Sequence, residues 1–171
     1  PEDSKLIEFL LVTNARAGYF YLLPKIHKPS PLLPLKCPGR PVCASNNHPT
    51  EPLSLWLHHI LKPILNQTII LDFLQDTTHF LVEFEHFLTN NPNSHTYIPF
   101  TLDVVSMYTR ISNEKGAHCA AECWQMYRDR FCPRHPITPQ IITDALLVVL
   151  SNNVFEFYSG LYRQIKGTAM G

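Results

Sequence analysis

The stretch Tyr-Phe-Tyr-Leu-Leu at residues 19–23 is aromatic and aliphatic, a composition that predicts a β-strand. Five prolines follow between Pro24 and Pro38. Because proline neither continues a helix nor donates the hydrogen bonds of a central strand, this run is expected to be irregular. A second short strand is predicted at Arg40–Ala44. We therefore expect a hairpin-like pair of strands joined by a long basic loop.

The segments downstream of this strand pair carry helical periodicity and helix-start signals. Apart from a short helix predicted at Ser4–Val12, the expected helices begin at Thr50, Asp76, Asn113 and Thr138-Pro139. The first runs toward Gln67, with Pro63 expected to kink or end it, the third to about Arg130 and the fourth to Leu150. The second has inward-facing residues at Phe80, Leu81, Phe84 and Phe87 or Leu88. Proline is favoured in the first helical turn, which supports the first and the last of these starts.

Two further segments predict strands. Apolar and other side chains alternate through Tyr97–Val105, as in a strand with one buried face. Ser159-Gly160 separates Val154–Tyr158 from Leu161–Lys166 and predicts a two-residue hairpin turn. Helices mixed with antiparallel strands define an α+β fold, and 171 residues suffice for one domain.

The composition is that of a globular protein, with 45% hydrophobic and 16% charged residues. The formal net charge is zero, so any binding of a polyanion must depend on a local basic cluster. No stretch approaches the roughly 20 apolar residues of a membrane span, and no membrane association is expected. The five cysteines, without a secretory signal, are interpreted as reduced thiols of an intracellular protein.

Asp103 follows the apolar residues of the strand predicted at Tyr97–Val105, and Tyr108 comes five positions later. A carboxylate at a strand end is held rigidly and can bind a divalent ion in a cleft. The alternative is that Asp103 faces solvent or caps a helix.

The proline-rich segment carries Lys25, Lys28 and Arg40. Cations on stiff backbone suit phosphate binding, because little entropy is lost when they are ordered. The alternative is a solvated basic loop. At the other end of the chain, Gly167 and Gly171 allow a tight turn and close approach of backbone to a ligand. An ordinary turn is the alternative there.

A cluster of possible metal ligands is formed by Cys119, Cys123, Cys132 and His135. The first two share a helical face, and a Cys-x-x-His pair follows. These residue types suit zinc, although the spacing of the first pair is atypical and cysteines at helical spacing are usually core residues.

Four phrases occur together and in order: YLLPKIHKP, PGRPV, FTLDVVSMYT and QIKGTAMG. They resemble the reverse transcriptases of Penelope-like retroelements, which are related to telomerase reverse transcriptase. The resemblance covers residues from about Tyr19 to Gly171. It implies a partial right-hand polymerase, with fingers over about residues 19–95 and an incomplete palm over about residues 96–171.

The same resemblance implies roles for individual residues. Lys25, Lys28 and Arg40 fall in the finger motifs that hold the triphosphate and template. Asp103 falls on the first palm carboxylate, which binds the catalytic magnesium ions, two in the complete enzyme. Tyr108 falls on the bulky residue that excludes a ribose 2′-hydroxyl. Gly167 and Gly171 match the glycine motif beside the nucleotide. Arg110 departs from the family pattern, which has asparagine there, and Met107 replaces leucine.

The resemblance therefore implies an RNA-directed DNA polymerase of a transposable element, acting in the nucleus on an RNA template, a DNA primer and deoxynucleoside triphosphates. The family's adjacent pair of palm aspartates follows the glycine motif, and this sequence stops at Gly171. We expect the chain by itself to be inactive, because two-metal transfer needs carboxylates on both ions. The alternatives are a non-catalytic nucleic-acid-binding module, a retroelement remnant, or a metal protein built on the cysteines.

Overall fold

The computed structural model describes residues 2–25, 38–64 and 74–169. The helices are α1 (Glu2–Leu10), α2 (Glu51–Ile64), α3 (Thr77–Asn90), α4 (Met107–Arg110), α5 (Asn113–Phe131) and α6 (Pro139–Ser151), with a 3-10 turn at Ser94–Thr96. The strands are β1 (Gly18–Pro24), β2 (Gly39–Ala44), β3 (Val154–Phe157) and β4 (Gly160–Arg163). Several helices beside one mixed sheet confirm the predicted α+β class.

The chain divides into two compact units. The first, called the sheet unit here, comprises Pro1–Leu61 and Ser106–Gly171. It contains all four strands together with α5 and α6. The second unit is Lys62–Val105 and contains α3.

The four strands form one sheet in the order β2-β1-β3-β4. The strands β1 and β2 pair antiparallel, as do β3 and β4, so both hairpins predicted from local patterns are present. Between them, β1 runs parallel to β3, with Gly18 opposite Phe155 and Tyr19 opposite Glu156. This pairing joins two hairpins that lie at opposite ends of the sequence.

The helices α5 and α6 pack together and supply most of the buried side chains of the sheet unit. On α5 these are Ala117, Ala121, Trp124 and Tyr127, which recur at the three- to four-residue spacing of one helical face. The indole Nε1 of Trp124 donates to the carbonyl of Ile137, 3.1 Å away. This bond ties α5 to the residues that lead into α6.

Local capping chemistry accounts for the helix starts. The carboxylate of Asp76 accepts a hydrogen bond from the amide of His79, 2.8 Å, which confirms the predicted cap of α3. Thr138 caps α6 in the same way, and Pro139 occupies its first turn. The cap of α5 is Ser112 rather than the predicted Asn113. Helix α2 is described as far as Ile64 and contains Pro63 in its last turn, and the predicted end at Gln67 lies outside the described residues.

The turn between β3 and β4 is shifted by one residue from its predicted position. Phe157 pairs with Gly160, so the two turn residues are Tyr158 and Ser159 rather than Ser159 and Gly160. Tyr158 takes a positive φ of 54° there. The Ser-Gly pair predicts a turn in this region, but the pairing of the flanking strands decides its register.

The strand predicted over Tyr97–Val105 is absent, and that prediction was wrong. The segment has no regular structure between the 3-10 turn and α4, and its apolar side chains are exposed, Leu102 by 89%. Alternation describes a strand with one buried face, but a strand also requires a partner for its backbone hydrogen bonds. In residues 2–25, 38–64 and 74–169, no strand pairs with this segment.

In the part of the chain that the structure describes, no helix has both the length and the apolar character needed to cross a membrane.

The connection between β2 and α2 is built around a buried histidine. His48 is only 3% exposed, and its Nδ1 accepts a hydrogen bond from the amide of Thr50, 3.2 Å. The Thr50 hydroxyl lies 2.7 Å from the same nitrogen. Burial lowers the pKa of His48, and the neighbouring Glu51 carboxylate opposes that effect only in part. The neutral ring is therefore the form that the fold accommodates.

We expect His48 to make the protein less stable as the pH falls. The pKa of His48 is lower in the folded than in the unfolded state, so the unfolded chain takes up the proton first, at about pH 6.5. Stability is complete above that pH and is lost as the pH falls toward the folded pKa. The measurement is urea unfolding at a series of pH values for wild type and His48→Asn, which keeps an acceptor for Thr50.

The His48→Asn variant should show a weaker loss of stability on acidification than wild type. His118→Asn, which removes an exposed histidine from α5, is the matched control and should follow wild type. Parallel pH profiles for wild type and His48→Asn would contradict the assignment.

Candidate nucleotide and nucleic-acid site

The hairpin of β1 and β2 brings two of the predicted phosphate-binding cations onto one face. Arg40 lies directly opposite Leu23, and the amide of Lys25 donates to the carbonyl of Pro38, 2.9 Å. Because side chains two positions apart in a strand share a face, Lys25 and Arg40 are diagonal neighbours on the face of Leu23. Arg40 is exposed and Lys25 half-buried. Lys28 lies outside the described residues.

The glycine motif contacts the segment that carries Tyr108. The amide of Thr168 donates to the carbonyl of Tyr108, 2.8 Å away. Gly167 is buried and has a φ of 83°, a backbone conformation that residues with a Cβ rarely adopt. A Cβ at Gly167 would overlap the Tyr108 carbonyl oxygen and lie 2.8 Å from the Cα of Thr109. Two residues that the resemblance assigns to one nucleotide site are thus in contact. Gly171 lies outside the described residues.

Tyr108 sits on α4, a single helical turn. Ser106, the residue before α4, takes a left-handed φ of 54°. The carbonyl of Ser106 accepts a hydrogen bond from the hydroxyl of Thr109, 3.0 Å away. The backbone of this turn is therefore defined from both sides, by Ser106 and by the bond to Thr168. The Tyr108 side chain itself is 41% exposed, so it is available to a ligand.

A chain of polar contacts, which the sequence did not indicate, connects the glycine motif to the sheet. Gln164 donates its amide to the carbonyl of Asn153 at 3.0 Å, and the side chain of Asn153 donates back to Gln164 Oε1 at 2.7 Å. Gln164 Nε2 then donates to the carbonyl of Lys166, 3.0 Å. At the far end, the Cys43 thiol lies 3.9 Å from Asn153 Oδ1, and burial raises the pKa of that thiol.

These contacts position the loop that carries Gly167. Gln164 belongs to the quoted QIKGTAMG phrase, but Asn153 lies eleven residues earlier and Cys43 on another strand. An asparagine side chain can donate to or accept from many groups, so the sequence does not reveal which residue Asn153 will contact. Only the pairing of β1 with β3 places it beside Cys43.

Asp103 lies in the second unit, Lys62–Val105, within the segment that does not form a strand. Its side chain is exposed. The rigid strand-end position predicted from the sequence is therefore not present. Among the described residues, no group of three or more His, Cys, Asp or Glu side chains is placed to hold a metal ion. The donor set for magnesium is not assembled by these residues, and the role of Asp103 as a ligand stays a prediction from the resemblance.

Cys119, Cys123, Cys132 and His135 all lie among the described residues, and they are not brought together as a group that could hold a zinc ion. All three cysteines are free thiols. His135 instead packs edge-on against Trp124 with ring centres 5.0 Å apart, and its Nδ1 accepts from the amide of Ile137, 3.3 Å. These contacts give His135 a packing role beside the core of α5.

Comparison with known proteins gives no independent identification. No protein-family model matches the chain, and neither does any curated protein or any solved structure.

We expect Gly167→Ala to disrupt the contact between the glycine motif and α4. The alanine would carry a positive φ, which costs about 1–2 kcal/mol, and its Cβ would collide with backbone atoms that cannot move aside as a side chain does. The measurement is the free energy of unfolding, together with amide hydrogen exchange at Thr168. Gly116→Ala, inside α5, is the matched control: its Cβ would meet only the Ile111 Cγ2 methyl at 3.2 Å, a side-chain atom that can shift, so protection of the Thr168 amide should stay as in wild type. Unchanged protection of the Thr168 amide in Gly167→Ala would contradict this account.

Proposed function

We propose that this chain is the fingers and the first part of the palm of an RNA-directed DNA polymerase related to Penelope-like retroelements. The proposal rests on the resemblance of four ordered motifs. The observation that supports it best is the contact between Gly167-Thr168 and Tyr108-Thr109. Residues that the resemblance assigns to one nucleotide site, from motifs far apart in the sequence, meet in the fold.

A second observation supports the same proposal. The hairpin that carries Lys25 and Arg40 shares its sheet, through the pairing of β1 with β3, with the hairpin that leads into the Gly167 loop. A polymerase needs the phosphate-binding and sugar-binding parts of its nucleotide site on one rigid scaffold, since catalysis depends on positioning. The sheet unit supplies such a scaffold.

In this proposal Lys25, Lys28 and Arg40 bind phosphates of the triphosphate and template, and Tyr108 contacts the sugar. Magnesium would supply charge neutralisation during nucleotidyl transfer, with Asp103 as the ligand that this chain contributes. One carboxylate cannot hold both ions of such a site, so other carboxylates of the polymerase must complete it. A nucleic-acid-binding module without catalysis is the alternative, and it fits the exposed position of Asp103.

We expect the chain to bind single-stranded nucleic acid in a salt-sensitive way through Lys25, Lys28 and Arg40, called the finger cations here. Each phosphate contact on a single strand adds about −0.7 to the slope of log affinity against log salt, so removal of three contacts should reduce the slope by about 2. The variant is Lys25→Ala with Lys28→Ala and Arg40→Ala, and the measurement is a fluorescence-anisotropy titration at several salt concentrations.

A second triple variant separates a local site from general charge. Lys115→Ala with Arg130→Ala and Arg134→Ala removes the same charge from exposed positions of the sheet unit. This control should keep the wild-type slope. Equal losses in both triple variants would show that binding reflects total charge and would remove the finger cations from the proposal.

Tyr108 provides the test of catalysis, in a polymerase polypeptide that contains this chain. A ring beneath the sugar rejects a 2′-hydroxyl by collision, so Tyr108→Val should raise ribonucleotide use relative to deoxyribonucleotide use. One extra group in a filled pocket is worth about 10–200-fold in discrimination, which sets the expected change. The measurement is the ratio of incorporation efficiencies for the two sugars.

Tyr108→Phe is the conservative control, because it keeps the ring and should keep the ratio. If Tyr108 only stabilises the fold, Tyr108→Val lowers the use of both sugars alike and leaves the ratio unchanged. That result would remove the sugar-selecting role from Tyr108.

A further inference from the structure

Two exposed tyrosines form a row along β1. Tyr19 and Tyr21 are two positions apart, so they share a face of the sheet. Their rings stack with centroids 6.5 Å apart and planes inclined by 25°. Tyr19 is 66% exposed and Tyr21 39% exposed. Val42, which pairs with Tyr21 on this face, is buried, whereas the two large aromatic rings leave apolar surface in water.

The row continues directly into the finger cations. Leu23 follows Tyr21 on the same face, opposite Arg40, and Lys25 comes directly after Pro24, the last residue of β1. On the same face, the neighbouring strand β3 places Glu156 beside Tyr19, and β4 places Arg163 opposite Val154. Among the described residues of these two hairpins, the charged residues on this face are the cations Lys25, Arg40 and Arg163 and the acid Glu156. The charge of this face is complementary to a phosphate backbone, and the rings lie beside the charges.

The opposite face of the same sheet is different in kind. There the ring of Phe20 packs against Phe155 and Phe157, with ring centres 5.4 and 5.0 Å apart. That face also holds the buried Cys43 and Asn153. The sheet thus already has one aromatic face that packs on itself, so the exposed tyrosines are not needed to build its core.

We propose that Tyr19 and Tyr21 form a stacking platform for the bases of single-stranded nucleic acid, whose phosphates are bound by Arg40 and Lys25. Stacking on aromatic side chains tolerates any base, because every base has a π-face. A duplex cannot use such a platform, since its base faces are already stacked on each other. This inference rests on the proposed function for the role of the cations, and it adds the bases as a second source of affinity.

The test is binding of the 171-residue chain to a fluorescein-labelled oligothymidylate of about 12 nucleotides, within the usual site size of such surfaces. Tyr19→Ala and Tyr21→Ala should each weaken binding by about 5- to 150-fold, the range measured for loss of one stacked base. Tyr19→Phe and Tyr21→Phe keep the stacking surface and should bind as wild type does.

A matched tyrosine elsewhere in the same unit is the control for loss of a ring. Tyr158 is 88% exposed in the turn between β3 and β4, and Tyr158→Ala should leave binding unchanged. Circular dichroism and thermal unfolding identify any variant that fails to fold. The phenylalanine variants keep the test decisive in that case, since a requirement for the hydroxyl groups would contradict stacking.

A second ligand separates bases from phosphates without any change to the protein. An oligomer of equal length and charge in which every base is absent should bind wild type as weakly as oligothymidylate binds the alanine variants. An oligouridylate of the same length compares RNA with DNA, and tighter binding of either oligomer than of a duplex supports the platform.

The outcomes distinguish this inference from the proposed function. Equal affinity for the oligomers with and without bases, or for single strand and duplex, overturns the platform. Unchanged binding in Tyr19→Ala and Tyr21→Ala, with loss in the triple variant at Lys25, Lys28 and Arg40, overturns the platform and leaves the finger cations in place. No binding of any oligomer by wild type overturns both.

Discussion

The parallel pairing of β1 with β3 is the constraint on which the rest of the sheet unit depends. It consists of two pairs of residues, with Gly18 at one of them. A Cβ at Gly18 would lie 2.9 Å from the carbonyl oxygen of Ala44 and 3.3 Å from both Cys43 Sγ and the carbonyl of Val154. Because three strands approach one another at this position, only a residue without a side chain fits. Without this pairing the two hairpins would be separate.

Local patterns in the sequence predict the elements of the sheet but not the way they are combined. A hairpin is specified by the residues of its two strands and its turn, so both hairpins were predictable. Parallel strands are joined by long connections, here most of the chain, and no short-range signal at Gly18 or Phe155 marks them as partners. The failure at Tyr97–Val105 has the same origin, because alternation reports a preference for one buried face and carries no information about a partner strand.

In the candidate site, too, the sequence indicated individual residues better than it indicated how the fold combines them. Motif order marked Tyr108, Gly167, Lys25 and Arg40, and all four lie in the sheet unit, with Tyr108 and Gly167 in contact. Asp103 was marked by the same reasoning and lies in the other unit. Asn153 was missed, because a buried asparagine acquires its role only from the neighbours that the fold gives it.

The zero net charge of the chain explains why the proposed site would need both its cations and its exposed tyrosines. A protein with many phosphate contacts can bind nucleic acid by counterion release alone, whereas the three proposed phosphate contacts of Lys25, Lys28 and Arg40 would give a salt slope of only about −2 on a single strand. Affinity at physiological salt then has to come from contacts that salt does not screen. In the proposed platform, stacked bases would provide such contacts. Tyr19 and Tyr21 lie on β1, which ends one residue before Lys25, on the path of a nucleic-acid strand held by the cations. A low global charge is thus compatible with nucleic-acid binding when cations and exposed rings share one face of a sheet.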